Sequence, residues 1–282
     1  VRLQQQSNEL IIFCDEDQQS IFSQYIEGAL YVRHKGYPFN FRGKGRFKSD
    51  LILGSTKLIA FLKMEQGLVD EYIVKYELQS LISDQRYGFY TAKLPSVFIT
   101  HQLKFPLMGL YKLVNLLNSY HLSKFKTIWI MDDPKHMHAG KLSSKKHNKN
   151  AIYIGCHSRF ELREKINVKT IKGVLVINGP STYASSLIDS FSEQILCGEI
   201  QSIVGPVFVQ EILRERNIQT SFVSNQEMSK VDAVLLSSSK IFGFFGYTTL
   251  MDCLELRCDY QLIPTPGQDE QQYLAKRHKK SL

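Results

Sequence analysis

Short apolar runs alternate along this chain with longer amphipathic stretches, the rhythm of α/β units built around parallel sheets. In the first half the pattern predicts a strand over Leu10–Cys14, a helix near Asp17–Tyr25 and a strand over Ala29–Val32. A long helix over roughly Asp50–Val74 follows, then strands over Leu78–Ser83 and Val97–Thr100, a helix over Leu107–Tyr120 and a strand over Thr127–Met131. The stretch from Pro134 to Asn150 is polar and aperiodic and reads as loop. The second half restarts the rhythm with a strand at Gly173–Ile177 and a helix at Ala184–Leu196. Strand Ser202–Val204, helix Val207–Arg216 and strands Thr220–Val223 and Ala233–Leu236 come next, then a helix from Thr248 and a strand at Gln261–Ile263.

Length and composition narrow this picture. A chain of 282 residues can hold one large or two ordinary domains, each able to bury its own core. Hydrophobic content of 43% and charged content of 22% are those of a soluble globular protein. No apolar run approaches the ~20 residues of a membrane span, and no signal-peptide core opens the chain. The cysteines (Cys14, Cys156, Cys197, Cys253, Cys258) form no C-x-x-C pair, and their odd number argues for a reducing, cytoplasmic setting. The net charge of +8 favours anionic partners. Much of it sits in Lys145, Lys146 and Lys149 and in the run from Lys276 to Lys280, which read as solvated surface, as charge runs usually do. No aromatic RNA-binding signature or zinc-finger spacing accompanies the charge, so a nucleic-acid partner is not expected.

The chemistry concentrates between Phe242 and Tyr273. Gly246 permits close backbone approach to a phosphate, and Thr248 and Thr249 bring hydroxyls to a helix start with its free N–H groups. Asp252, about one turn into the helix, has the chemistry to accept from a ribose diol. The run Thr265-Pro266-Gly267-Gln268-Asp269-Glu270-Gln271-Gln272-Tyr273 adds a second loop with a glycine and amides suited to sugar hydroxyls. Asn178-Gly179-Pro180-Ser181 is a strand-to-helix turn with a permissive glycine and a capping hydroxyl.

In the first half, Ser83-Asp84-Gln85-Arg86-Tyr87-Gly88 and Pro95-Ser96-Val97-Phe98-Ile99-Thr100-His101-Gln102 each read as a strand ending in polar residues, where open α/β sheets bind ligands. His101 has the chemistry to hold an acceptor hydroxyl and, when neutral, to take its proton. The alternative is that His101 and Asp84 are structural, tying loops or neutralising Arg86. Asp132, Asp133, His136 and His138 have metal-ligand residue types, but a polar loop with an Asp-Pro turn is the expectation, and no metal or other cofactor is predicted. The helix at Leu107–Tyr120 is apolar over much of its surface, with Lys104, Lys112, Lys124 and Lys126 around it. It reads either as a core helix or as a peripheral patch for an anionic membrane.

These segments resemble glycosyltransferase family 28, the GT-B-fold group that includes bacterial relatives of the lipid II UDP-N-acetylglucosamine transferase. In such relatives the helix start reads Arg-Ser-Gly-Tyr-Ser-Thr-Leu-Met-Asp. Gly246 to Asp252 keep that pattern, while Phe244 and Phe245 replace the Arg-Ser and remove a cation and a hydroxyl. The Pro-Gly-Gln-x-Glu-Gln stretch is intact from Pro266 to Gln271, and the Ser83, Pro95 and Ala139-to-Ser143 segments also match. The resemblance implies two Rossmann-like domains with parallel sheets facing each other across a cleft. The N-terminal acceptor domain would span 1–155, a linker 156–172 and the nucleotide-sugar domain 173–282. A fragment lacking the family's N-terminal Gly-rich loop is the expectation.

The resemblance further implies inverting, metal-independent transfer from a UDP-sugar, as substrate, to a carbohydrate or lipid-linked acceptor, with the enzyme at the inner face of the membrane. Donor contacts would come from Gly179, Ser181, Gly246, Tyr247, Thr248, Thr249, Asp252, Gly267, Gln268, Glu270, Gln271 and Gln272. Arg86, His101 and Gln102 would face the acceptor, with His101 and Asp84 as the catalytic pair. Two other readings stay open. One is a GT-B nucleotide-sugar 2-epimerase, which would want more carboxylates than Asp84 supplies. The other is a non-catalytic nucleotide-sugar-binding protein.

Overall fold

The structure is a computed structural model and describes residues 2–106, 111–145, 150–164 and 168–278. The expected helix start at Leu107, and Lys146, Lys149, Lys279 and Lys280 of the basic clusters, lie outside the described residues. In chain order the elements are α1 (Arg2–Gln5), β1 (Ile11–Cys14), α2 (Glu16–Phe22), β2 (Leu30–Arg33), α3 (Phe47–Lys75), β3 (Leu81–Asp84), β4 (Ser96–Thr100), α4 (Tyr111–Leu122), β5 (Thr127–Ile130) and β6 (Ala151–Tyr153). They continue with β7 (Ile171–Val176), α5 (Ala184–Ser190), α6 (Ser192–Leu196), β8 (Ser202–Gly205), α7 (Val209–Glu215), β9 (Ser221–Ser224), α8 (Met228–Leu236), β10 (Ser238–Phe244), α9 (Tyr247–Leu256), β11 (Asp259–Ile263) and α10 (Asp269–Arg277).

Two compact units interleave along the chain. The first comprises Val1–Tyr37, Arg163–Phe244 and Leu256–Leu262; the second comprises Pro38–Leu162, Phe245–Glu255 and Ile263–Leu282. One crossing, at Leu162–Arg163, falls inside the expected 156–172 linker, and the segments around α9 and α10 group with the second unit.

The first unit carries a sheet in the order β11-β10-β7-β8-β9. Its β7–β10, β7–β8 and β8–β9 pairings are parallel. Numbered from its first strand, this is the doubly wound 3-2-1-4-5 order, whose direction reverses between β7 and β10. Phe242, Leu175, Val174 and Ile203 are fully buried in it, each worth about 1.5–3 kcal/mol of transfer free energy. Phe191 meets Phe242 edge-on at 5.3 Å. In the same unit β1 and β2 form a parallel pair, joined through α2, which Asp15 and Gln18 close with a reciprocal capping box. The Tyr25 hydroxyl donates to both oxygens of buried Asp232 at 2.9 Å.

The second unit is built on the parallel sheet β3-β4-β5-β6. Phe98, Leu103, Leu122, Phe125, Ile128, Ile130 and Ala151 form its core, with Tyr87, Tyr90 and Tyr153 packed against it. The rings of Phe98 and Phe125 lie 4.8 Å apart.

Some elements differ from expectation for identifiable reasons. Ala233–Leu236 is the end of helix α8, not a strand. Met228, Val231, Asp232 and Leu235 are its buried positions, a helical spacing that a short apolar run conceals. The strand follows it as β10. Ala184–Leu196 breaks at Phe191 into α5 and α6. The polar stretch before Asn150 contains a 3-10 turn at Gly140–Ser143, and the run after Gln268 is helix α10 rather than loop. Among the described residues no helix is long and apolar enough to cross a membrane.

Candidate active site

All four strands of the second unit's sheet run in one direction, so their carboxyl ends share one edge. There the chain places Asp84 at the end of β3 with Gln85-Arg86 after it, His101-Gln102 after β4, Met131-Asp132 after β5 and Cys156 to Ser158 beyond β6. This is the edge at which open α/β sheets bind ligands. A cavity of about 410 Å³ lined by Lys93, Lys124 and Lys126 lies at the opposite, amino-terminal edge, away from this chemistry.

His101 is the centre of the cluster and is only 9% exposed. Its Nε2 lies 2.7 Å from Oε1 of Glu270 on α10. Its Nδ1 faces the Gln85 carboxamide nitrogen at 3.5 Å. The ring stacks on Tyr247, the first residue of α9, with centroids 4.2 Å apart and planes within 3°. Gln102 is buried; its backbone N–H donates to Thr100 Oγ1 at 2.9 Å, while its side-chain nitrogen has no partner among the described residues. Asp84 rims the edge with an accessible surface yet is crowded by protein atoms. That crowding pushes its carboxyl above the ordinary value, and the neighbouring His101 pulls it partly back.

Arg86 points away to α3. Its Nε and Nη2 both reach Oε1 of fully buried Glu65 at 2.6 Å, and the guanidinium covers the Phe61 ring. Glu65 is thus a carboxylate facing Arg86, a partner that twenty-one residues of separation concealed from sequence reading.

Helix α9 starts with the Leu250 N–H donating to the Gly246 carbonyl. The Tyr247 hydroxyl donates to the Met131 carbonyl and sits 3.8 Å from Cys156 Sγ. Burial pushes this phenol far above its ordinary range and lifts the Cys156 thiol to about 11. Thr248 is exposed and Thr249 half-buried at the first turn. The Asp252 carboxylate already accepts from the Ser158 hydroxyl at 2.6 Å and faces Arg159 Nε at 3.5 Å. Neither Ser158 nor Arg159 carried a sequence signal. Phe245 is a core residue whose N–H donates to the Ile263 carbonyl; Phe244 is equally buried, edge-on to Tyr183.

In the second loop Gly267 adopts φ +86° and Gln268 precedes α10 without a side-chain cap. The Gln271 side chain accepts from the Thr265 N–H at 2.7 Å, which holds the loop, while Gln272 is exposed. Helix α10 is fastened by one face. Besides Glu270, the Tyr273 hydroxyl accepts from the Lys141 N–H at 2.8 Å, Arg277 donates to the His136 carbonyl at 2.7 Å and His278 reaches the His138 carbonyl at 2.8 Å. Gly140 has φ +61°, and a Cβ there would collide with Tyr273 and Arg277.

The Asp132 carboxylate is fully buried and satisfied by protein donors: the N–H groups of Asp133, His138 and Ala139 at 2.9, 3.2 and 3.0 Å, and the Ser143 hydroxyl at 2.6 Å. Asp133 accepts from the Lys135 and Met137 N–H groups. Among the described residues no group of His, Cys, Asp and Glu is arranged to hold a metal ion.

Gly179 and Ser181 lie in the first unit, exposed on the turn that leaves β7 beside β10, where the strand order reverses. Gly179 has φ +84° and no protein atom near the place of a Cβ, so the backbone there is open to close approach.

No protein-family model matches the chain, and no curated protein matches it in sequence. Solved structures do. Spinosyn rhamnosyltransferase SpnG complexed with thymidine diphosphate matches with a TM-score of 0.57 and 12% identity over 98% of this chain and 77% of that one. Glycosyltransferase SnogD from Streptomyces nogalater matches with 0.58 and 13%, over 97% and 78%. The S. aureus MnaA–UDP co-structure matches with 0.52 and 9%, over 96% and 88%. The chain is therefore an α/β protein of the GT-B fold, shared with glycosyltransferases.

Proposed function

We propose that this chain transfers a sugar from a nucleoside-diphosphate donor, UDP-linked, to the hydroxyl of a carbohydrate or lipid-linked acceptor. One observation carries the reading. His101, at the carboxyl edge of the sheet, is held by the elements that bear the family 28-like motifs: Tyr247 of α9 stacks on it and Glu270 of α10 bonds it. The thymidine diphosphate of the SpnG structure and the UDP of the MnaA structure support the donor class, and a further SpnG structure holds its spinosyn aglycone.

In this proposal Gly246, Thr248, Thr249, Gly267, Gln268 and Gln272 contact the donor. The α9 N-terminus stabilises the departing diphosphate without a metal. His101 takes the acceptor proton, and attack opposite the diphosphate inverts the anomeric centre. Asp84 and Gln102 line the acceptor side. Exposed Val114, Leu116, Leu117 and Tyr120 on α4, with Lys124 and Lys126 beyond its end, supply peripheral contact with an anionic membrane at its cytoplasmic face.

The test is UDP release from UDP-glucose and UDP-N-acetylglucosamine across an acceptor panel. His101→Ala should lose about 10²-fold or more if His101 is the base. Equal rates in the two proteins would refute that role. A second reading, nucleotide-sugar binding without transfer, is favoured by one feature. Arg86 and Asp252 are both engaged by protein partners, and buried phenylalanines stand where relatives carry Arg-Ser. It expects UDP binding with no release from any donor.

A further inference from the structure

We infer that Gln85 and Glu270 are positioning residues that hold His101 in its Nε2–H tautomer, and that the acceptor hydroxyl takes the place of the Gln85 carboxamide at Nδ1. The inference rests on the glycosyl-transfer reading and adds to it where the acceptor binds.

A carboxylate accepts and does not donate, so the 2.7 Å contact with Glu270 requires the proton on Nε2. The Gln85 contact agrees: its carboxamide N–H donates to an Nδ1 lone pair. Stacking on Tyr247 fixes the ring plane. The titratable groups facing the imidazole are then Glu270 from α10, Tyr247 from α9 and Asp84 from the end of β3. The two nitrogens are held unequally. At 2.7 Å the Glu270 bond is short and charge-assisted, whereas 3.5 Å is the outer limit for the Gln85 bond. The nitrogen that can act as base is the weakly held one.

Gln85 also has an unusual backbone. Its φ is +53°, a left-handed conformation that a non-glycine residue keeps only where its surroundings over-determine it. Here the Gln85 N–H reaches the Ile99 carbonyl at 3.3 Å, tying the β3 end to β4 just before His101. Residues held this way cluster at ligand clamps. The carboxamide therefore marks the position of an incoming O–H, and its displacement opens Nδ1.

The step balances. Nδ1 takes the hydroxyl proton, the acceptor oxygen forms a bond to the anomeric carbon, and the bond from that carbon to the diphosphate oxygen breaks with its electron pair leaving on the diphosphate. The imidazolium so formed lies against the Glu270 carboxylate, the division of labour of a base with an orienting acid.

The experiment compares the full chain with Gln85→Gly, which accepts φ +53° without strain and removes the carboxamide. Gln85→Asn, whose amide falls one methylene short, is the second variant. Acylation of His101 by diethyl pyrocarbonate at neutral pH is followed by peptide mass spectrometry, with His157, partnered by Glu161, as internal reference. Both variants should acylate His101 about fivefold faster than wild type, the factor set by losing a hydrogen bond of about 1 kcal/mol. Unchanged rates with a native fold would overturn the gate. Nitrogen-15 spectra of wild type should show Nδ1 unprotonated; an Nδ1–H signal would overturn the tautomer. Glu270→Ala should leave UDP affinity within about twofold of wild type while weakening transfer; loss of UDP affinity would make Glu270 a donor contact instead. If wild type binds no UDP at all, the transfer reading fails and the acceptor's role with it, whatever the His101 rates show.

Discussion

Replacing Asp132 by alanine removes four N–H and O–H hydrogen bonds from one buried carboxylate, those of three backbone N–H groups and the Ser143 hydroxyl, besides the weaker 4.0 Å contact from Cys156 Sγ. At about 1 kcal/mol net for each, the loss is about 4 kcal/mol. The chain carries its own reporter, because its one tryptophan, Trp129, lies in β5 three residues before Asp132 and reads the second unit. With a urea m-value of about 2 kcal/mol/M, the midpoint followed by Trp129 fluorescence should fall by about 2 M. Asp132→Asn, which keeps one acceptor oxygen, should lose about half as much. The same substitution loosens the segment whose carbonyls at His136, Met137 and His138 hold α10, so protease cleavage near Arg277 should accelerate. A fall below about 0.5 M in Asp132→Ala would refute the hydrogen-bond accounting. Stabilisation of wild type, but not of Asp132→Ala, by added zinc or manganese would refute the structural assignment in favour of a metal site.

Other consequences follow from the same geometry. Gly140→Ala should cost roughly 1–2 kcal/mol for its left-handed backbone alone, with more from the collision with Tyr273, visible as a lower Trp129 midpoint. Cys156, its thiol raised to about 11, should resist iodoacetamide at pH 8 while exposed Cys197 is alkylated, and its rate should climb as pH approaches 11; comparable rates at pH 8 would contradict the burial argument. The folded state binds the Asp84 proton more tightly than the unfolded chain does, so Asp84 penalises folding above its raised pKa and not below the ordinary 3.8. Asp84→Asn should therefore be more stable than wild type at pH 7, with the difference gone at pH 3; an advantage at pH 3 would reverse the sign.

The alternation of apolar and amphipathic segments made the α/β class legible, because each buried strand leaves a local apolar run. Its errors fall where local pattern is ambiguous. Ala233–Leu236 is apolar in both its helical and its extended reading, and β10 opens with Ser238, Ser239 and Lys240, which hide a strand. The amides after Gly267 read as loop, yet Glu270, Tyr273, Arg277 and His278 occupy one helical face and each has a partner in the second unit. His101 was legible as the polar end of a strand. Its partners Gln85 and Glu270 were legible only as neighbours of a motif, since no spacing announces a contact 169 residues away. The Ser158–Asp252 bond and the Glu65–Arg86 pair are likewise products of tertiary folding that leave no local trace.

The proposed nucleoside-diphosphate site is open to calorimetric titration of the chain with UDP. One site of about micromolar affinity is expected, weakened in Thr248→Val, an exposed residue at the first turn of α9. No heat of binding at millimolar UDP would contradict it.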